Sequence, residues 1–334
     1  MNETLTAVPG LRVGHAEVDG GRSGCTVVLG PFRGVVDVRG LATGTRELDA
    51  LSPEHLVPRI DAIHLTGGSA FGLASADGVM AYLEAGGIGF DTGVARVPIV
   101  PAAVIFDLAE GVPRPGPSEG RRACEAASDG PVAEGSVGAG AGALVGKIGG
   151  RGGASPGGLG SAAARHGGRT LGVLAVVNAL GDVLDGSGAI VAGARAEDGR
   201  FIDTGAVLRD RGVDGEFGRV DSSSKSAAAS SSPEPTGGGA EDVRAGTNTT
   251  LVVFATDAPL TAPDLERVAR LASTGLARRI SPVNTPFDGD IVFSVSTAAE
   301  PVAHSPGRVM SLGTVARDLV EEAVERAVRA AAVA

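Results

Sequence analysis

From Asp221 to Gly246 the chain reads DSSSKSAAASSSPEPTGGGAEDVRAG, and this one segment constrains everything around it. Small, polar, proline-punctuated residues bury too little apolar surface to offset the entropy lost on ordering. The segment therefore predicts a mobile loop over about residues 221–247. Order resumes abruptly behind it, because Leu251 to Thr256 is an apolar run that reads as a buried strand. Any fold of this chain must join two unequal pieces across a stretch that adds nothing to the core.

The larger piece alternates Val- and Ile-rich runs with glycine-rich turns. Cys25 to Leu29, Ala62 to Leu65 and Leu171 to Val177 read as buried strands, the last followed by the turn-like Asn178-Ala-Leu-Gly-Asp182. Between Ala70 and Ala85, the residues Leu73, Ala76, Met80 and Leu83 fall on one helical face. Beyond the loop, Thr261 and Asp264 stand in capping-box-like positions with Pro263 near the first turn. The helix they open carries Leu265, Val268, Ala269, Ala272 and Leu276 on its apolar face. Ile291 to Ser296 predicts a further strand. From about Leu312 a last helix repeats apolar residues (Val315, Ala316, Leu319, Val320, Ala323, Val324, Ala327) at helical spacing, as core or as a subunit contact. Strands mixed with amphipathic helices imply helices layered on sheets, although periodicity does not fix the topology. With no Trp, one Tyr and nine Phe, the core has to be mainly aliphatic.

A formal charge of −10 argues against a nucleic-acid backbone or an anionic membrane as partner. No apolar run approaches a membrane span, and MNETLTAVPG lacks the basic and apolar regions of a signal peptide, so a cytoplasmic protein is expected. Cys25 and Cys124 match no metal or redox spacing and read as buried free thiols. His15, His55, His64, His166 and His304 form no metal pattern, and no G-x-S-x-G elbow is present.

The junction Gly246-Thr247-Asn248-Thr249-Thr250-Leu251 lies where the loop ends and the strand begins. Asn favours turns and Thr favours strands, so the junction can be simply that. It also has what an N-terminal nucleophile requires. A Thr hydroxyl attacks the preceding carbonyl, the peptide shifts to an ester, and water releases the upstream piece. The freed α-amine, with an ordinary pKa of about 7.7–8.0, can then serve as base to its own hydroxyl.

Among 29 basic residues only Lys147 and Lys225 are lysines, and Lys225 falls in the loop. Lys147, within GAGAGALVGKIGG, can lose its proton when desolvated, as an Arg cannot; a solvated loop-end lysine is the alternative. The stretch is no phosphate loop, since Ala141 and Ile148 stand where Gly and Ser or Thr are needed. Gly138-x-Gly140-x-x-Ala143 is a poor dinucleotide motif, lacking an acidic residue about twenty positions on. Asn178, closing an apolar run, can donate its amide to a developing oxyanion or merely end a strand. Asp288-Gly289-Asp290 can orient a hydroxyl, an amine or a lysine, or form an ordinary Asp-Gly turn. Thr66-Gly67-Gly68-Ser69 reads as a pocket wall or a strand-to-helix turn.

Taken in order, several segments resemble the self-processing family of D-aminopeptidase/esterases, β-aminopeptidases and nylon-oligomer hydrolases. They are Gly10-Leu-Arg-Val-Gly-His15, Gly24-Cys-Thr-Val-Val-Leu29, Asp37-Val-Arg-Gly40, Thr66-Gly-Gly-Ser-Ala-Phe-Gly72 and Val97-Pro-Ile-Val-Pro101. Gly138 to Lys147, Val177-Asn178, Asn248-Thr-Thr250 and Phe287-Asp-Gly-Asp290 complete the set. The resemblance implies a four-layer αββα sandwich, one hydrolase domain over 1–334 cut into 1–248 and 249–334, and a tetramer of such heterodimers. It implies Asn248 before the cut and Thr249 as nucleophile. Lys147 and Asn178 would stabilise charge, and Asp288 and Asp290 would orient the nucleophile and its amine. No metal or organic cofactor is implied. The Asn-Thr junction and Asp-Gly-Asp segment are similar to the nylon-hydrolase branch, whereas Phe106 replaces a tyrosine of that branch and Thr247 interrupts its Gly-Asn-Thr. Short peptides or ω-amino acid oligomers are the expected substrates. An uncleaved small-molecule-binding protein on the same scaffold is the competing expectation.

Overall fold

Runs of branched aliphatic residues favour a pleated, buried surface, and here they build one connected system of strands. The computed structural model describes residues 2–211 and 248–333; the loop expected at about 221–247 lies outside the described residues. The strands are β1 (Arg12–Glu17), β2 (Gly24–Val38), β3 (Thr45–Arg46), β4 (Ile60–Thr66), β5 (Ala102–Val104), β6 (Gly158–His166), β7 (Arg169–Asn178), β8 (Thr249–Thr256) and β9 (Ile291–Ser296). Their order is β6-β7-β8-β9-β2-β4-β5-β3, with β1 also on β2. The β8–β9 and β4–β5 pairs are parallel and the others antiparallel.

The long strand β2 belongs to two sheets. Residues 24–29 pair with β1 and β4, residues 33–38 pair with β9, and the register breaks between Leu29 and Phe32. Side-chain alternation then sorts the core into layers. Leu251, Val253 and Ala255 of β8 pack toward Ile63 and Leu65 of β4, filling the space between the sheets. Val252 and Phe254 face the other way, onto helices α4 (Ala262–Arg279) and α5 (Pro306–Ala331). Cys25, Val27 and Leu29 turn outward against helices α1 (Ser75–Ala85) and α2 (Pro117–Glu125). The result is helix, sheet, sheet, helix, the four-layer αββα sandwich expected from the sequence.

Local differences have local causes. The first helix begins at Ser75, not Ala70, because residues 69–74 form a 3-10 turn; of the expected face Ala76 and Leu83 are buried and Met80 packs half-buried against the core, and Val79 joins them. The last helix begins at Pro306, earlier than Leu312: Ser305 caps it by accepting from Arg308 N at 3.3 Å, and proline suits a first helical position. The Asp288-Gly-Asp290 segment is not itself a tight turn. The turn precedes it, where Asp288 N donates to Thr285 O, and Asp288 bridges to Asn248 in parallel. Among the described residues, no helix is long and apolar enough to cross a membrane.

Candidate active site

Strand register gathers the residues singled out in the sequence. Thr249, at the start of β8, lies opposite Asn178, the last residue of β7; on its other side β8 runs parallel to β9, with Leu251 opposite Ile291. The backbone entering β8 is therefore held between the end of β7 and the segment that leads into β9. Lys147 arrives from the glycine-rich stretch. All six residues, Lys147, Asn178, Asn248, Thr249, Asp288 and Asp290, are buried.

Lys147 Nζ donates to Asn178 O at 2.9 Å and to Asn178 Oδ1 at 3.0 Å. Leu144 N also donates to Oδ1, at 3.1 Å, so the amide orientation is fixed by two donors and its Nδ2 turns toward Phe106 O at 3.3 Å. Burial brings the Lys147 ammonium down to about 7, because desolvation disfavours its charge more than the nearby Asp288 carboxylate supports it.

Asp290 accepts from Thr250 N at 2.6 Å and from Asn284 N at 3.1 Å; Asp288 accepts from Thr285 N at 2.8 Å. Burial raises both carboxyls. Asp290 rises to about 7, helped by repulsion from Asp288. Asp290 thus holds the backbone one residue past the junction, and both aspartates hold the turn at 284–285, where the sequence suggested that they orient the nucleophile and its amine.

The Thr249 hydroxyl donates to the carbonyl oxygen of its own predecessor, Asn248, at 2.5 Å. That same oxygen accepts from Gly289 N at 2.9 Å. A hydroxyl and a backbone donor converge on one peptide carbonyl, and the residue that pairs with Thr249 across the strands, Asn178, carries the Lys147 ammonium. This arrangement suits acyl transfer at that carbonyl.

Sequence reasoning missed the Gly289 N–H, since a backbone donor leaves no mark in residue identity. It also missed the function of Asp37-Val-Arg-Gly40, which runs on into contacts with Asp288 and Asp290. Thr66-Gly67-Gly68-Ser69 is a strand-to-3-10 turn tied to the Asp107 carboxylate through Gly68 N at 2.6 Å. Cys25 and Cys124 are buried free thiols.

Residues 3–334 match the family described as Peptidase family S58. An uncharacterised aminopeptidase of Mycobacterium tuberculosis is 41% identical, over 96% of this chain and 92% of its own length. A 6-aminohexanoate-oligomer endohydrolase of a Kocuria species is 29% identical, over 96% and 84%. Among solved structures, the L-aminopeptidase D-Ala-esterase/amidase of Ochrobactrum anthropi, described as a prototype of the serine aminopeptidases and a variant of the Ntn hydrolase fold, superposes with a TM-score of 0.69. It is 22% identical over 98% of this chain and 86% of that one. A Burkholderia β-aminopeptidase gives a TM-score of 0.64 at 24% identity, over 99% and 87%.

Proposed function

Since this chain belongs to peptidase family S58, and is thereby a hydrolase of amide bonds, we propose that Thr249 is its nucleophile and becomes N-terminal by a cut after Asn248. One observation carries the reading: the Thr249 hydroxyl rests on the Asn248 carbonyl, which also accepts from Gly289 N–H. In the self-cleaving step Thr249 Oγ bonds to the Asn248 carbonyl carbon, and its proton passes to the neutral Lys147 amine. The tetrahedral centre then collapses, the carbon–nitrogen bond breaks, and the proton ends on the Thr249 nitrogen. Water hydrolyses the ester, releasing the Asn248 carboxylate and a threonine with a free α-amine.

Turnover repeats this chemistry on an external amide. Thr249 Oγ takes the acyl group, the amine leaves, and water regenerates the enzyme. Asn178, which lies opposite Thr249 across the strands and accepts from Lys147 through both its backbone and its side-chain oxygen, positions the lysine for these steps. No metal or organic cofactor enters these steps. The names of the relatives support short peptides or ω-amino acid oligomers as substrates. A threonine in place of a serine supplies the same hydroxyl with one added methyl.

Intact-mass analysis tests the proposal. Purified protein should consist of fragments 1–248 and 249–334, Thr249→Ala should stay full-length and inert, and Thr249→Ser should still cut. Wild-type protein that remains whole on prolonged incubation, and inactive on amino-acid amides, β-peptides and aminohexanoate oligomers, would sink the reading in favour of a binding protein.

A further inference from the structure

The segment after β2 does not leave the sheet. Arg39 N and Gly40 N both donate to Asp290 O, at 2.9 and 3.1 Å, and Ala42 N donates to Asp288 O at 2.9 Å. These bonds prolong the β2–β9 pairing beyond Val38 opposite Ile291, so residues 39–42 strap the backbone of 288–290 from one side. The aspartate side chains anchor the same segment from the other, on Thr250 N, Asn284 N and Thr285 N. Both carbonyls flanking Gly289 are thus tied down, and its N–H points at the Asn248 carbonyl.

The absence of side chains here is a physical requirement. A Cβ on Gly289 would meet Thr249 Oγ1 at 2.7 Å and Ala42 O at 2.8 Å. A Cβ on Gly40 would meet the Asp288 carbonyl oxygen at 2.3 Å and Asp290 N at 2.4 Å, so the strap or the segment beneath it would have to move. Asp37 steadies the strap through its 2.7 Å ion pair with Arg39.

We propose that the Gly289 N–H is the donor that stabilises the oxyanion formed at Asn248 during self-cleavage, and that Arg39–Ala42 is the device that aims it. The proposal rests on Thr249 as the self-cleaving nucleophile. As Thr249 Oγ bonds to the carbonyl carbon, the carbonyl electron pair moves onto an oxygen already 2.9 Å from this fixed N–H, inside the range where such donors act. No reorganisation is needed at the moment of attack. Gly289 is thereby a catalytic residue acting through its backbone, and Gly40 a positioning residue.

Cell-free synthesis of the full chain provides the test, with conversion to 1–248 and 249–334 followed by pulse-chase. Glycolic acid placed at 289 by nonsense suppression removes the N–H without adding an atom that clashes, and the same ester at exposed Gly111 is the control. The 289 ester should slow self-cleavage by about 10²–10³-fold, the usual effect of losing one oxyanion donor. Gly40→Ala should slow it at least about tenfold, since a small misplacement of such a group already costs that much. In both, the pH midpoint of cleavage should stay where Lys147 sets it and the uncut chain should keep its protease resistance. A 289 ester that cuts within about threefold of wild type overturns the proposal while leaving Thr249 as nucleophile. Slowing accompanied by lost protease resistance, or by a moved pH midpoint, overturns it as well. Should Gly40→Ala fail to fold, the ester decides alone. Wild-type chain that never cuts removes the underlying reading, and this one with it.

Discussion

At the scale of the residue, Lys147 and Asp290 are two buried groups of the candidate site that burial brings to about 7 from opposite directions. Lys147 gives up its proton at about 7 in the folded chain, against 10.5 for an ordinary lysine. Between those values the unfolded chain holds more protons, so Lys147 makes stability rise with pH. Asp290 keeps its proton to about 7, against 3.8 for an ordinary aspartate, so the folded chain holds more protons in that window and stability falls as pH rises. The opposed trends meet near pH 7. Urea titrations at pH 5, 7 and 9 should show Lys147→Met flattening the upper limb and Asp290→Asn the lower one. If Thr249 gives its proton to neutral Lys147 as proposed, the rate of self-cleavage should climb with pH to a plateau, half-maximal near 7. Lys147→Arg, which stays charged, should lower cleavage and turnover by about 10²–10⁴-fold, the span of general-base effects.

At the scale of the element, packing explains which sequence signals were legible. The strand at 249–256 and the helix at 262–279 were readable because an uninterrupted apolar run and a Thr261 cap are local features. Phe254 on the helix face of β8 and Phe293 on the inter-sheet face of β9 each fill a separate core. Truncating either to Ala should cost about 3–5 kcal/mol in urea unfolding. Asp182 shows what was not readable. Its buried carboxylate accepts from Thr204 N at 2.7 Å, Thr204 Oγ1 at 2.8 Å and Ala194 N at 3.0 Å, pinning the start of helix α3 (Thr204–Arg211). In the sequence it was only the end of a turn. Asp182→Ala orphans buried N–H groups and should destabilise by about 1–3 kcal/mol in the same assay. Thr249, Lys147, Asn178 and the two aspartates were legible through their ordered motifs. Their mutual placement was not, because it depends on β7, β8 and β9 lying side by side.

At the scale of the whole molecule, a cut after Asn248 would separate covalently what the sheet keeps together. The piece from Thr249 onward supplies β8 and β9, which lie between β7 and β2, and both helices of one outer layer. Fragments 1–248 and 249–334 should therefore co-elute in native size-exclusion chromatography and part only in denaturant. The same column tests the expected tetramer, to which the Val315-to-Ala327 stripe offers little surface, because most of it is buried in the core.

One strand, β2, is a member of both sheets. A beam running through two floors leaves no seam between them. Neither sheet can peel away while the other stays closed, so even the nicked protein should melt in a single step. Shear between the sheets would also be transmitted along β2 into Arg39–Ala42, and from there to the donor at Gly289.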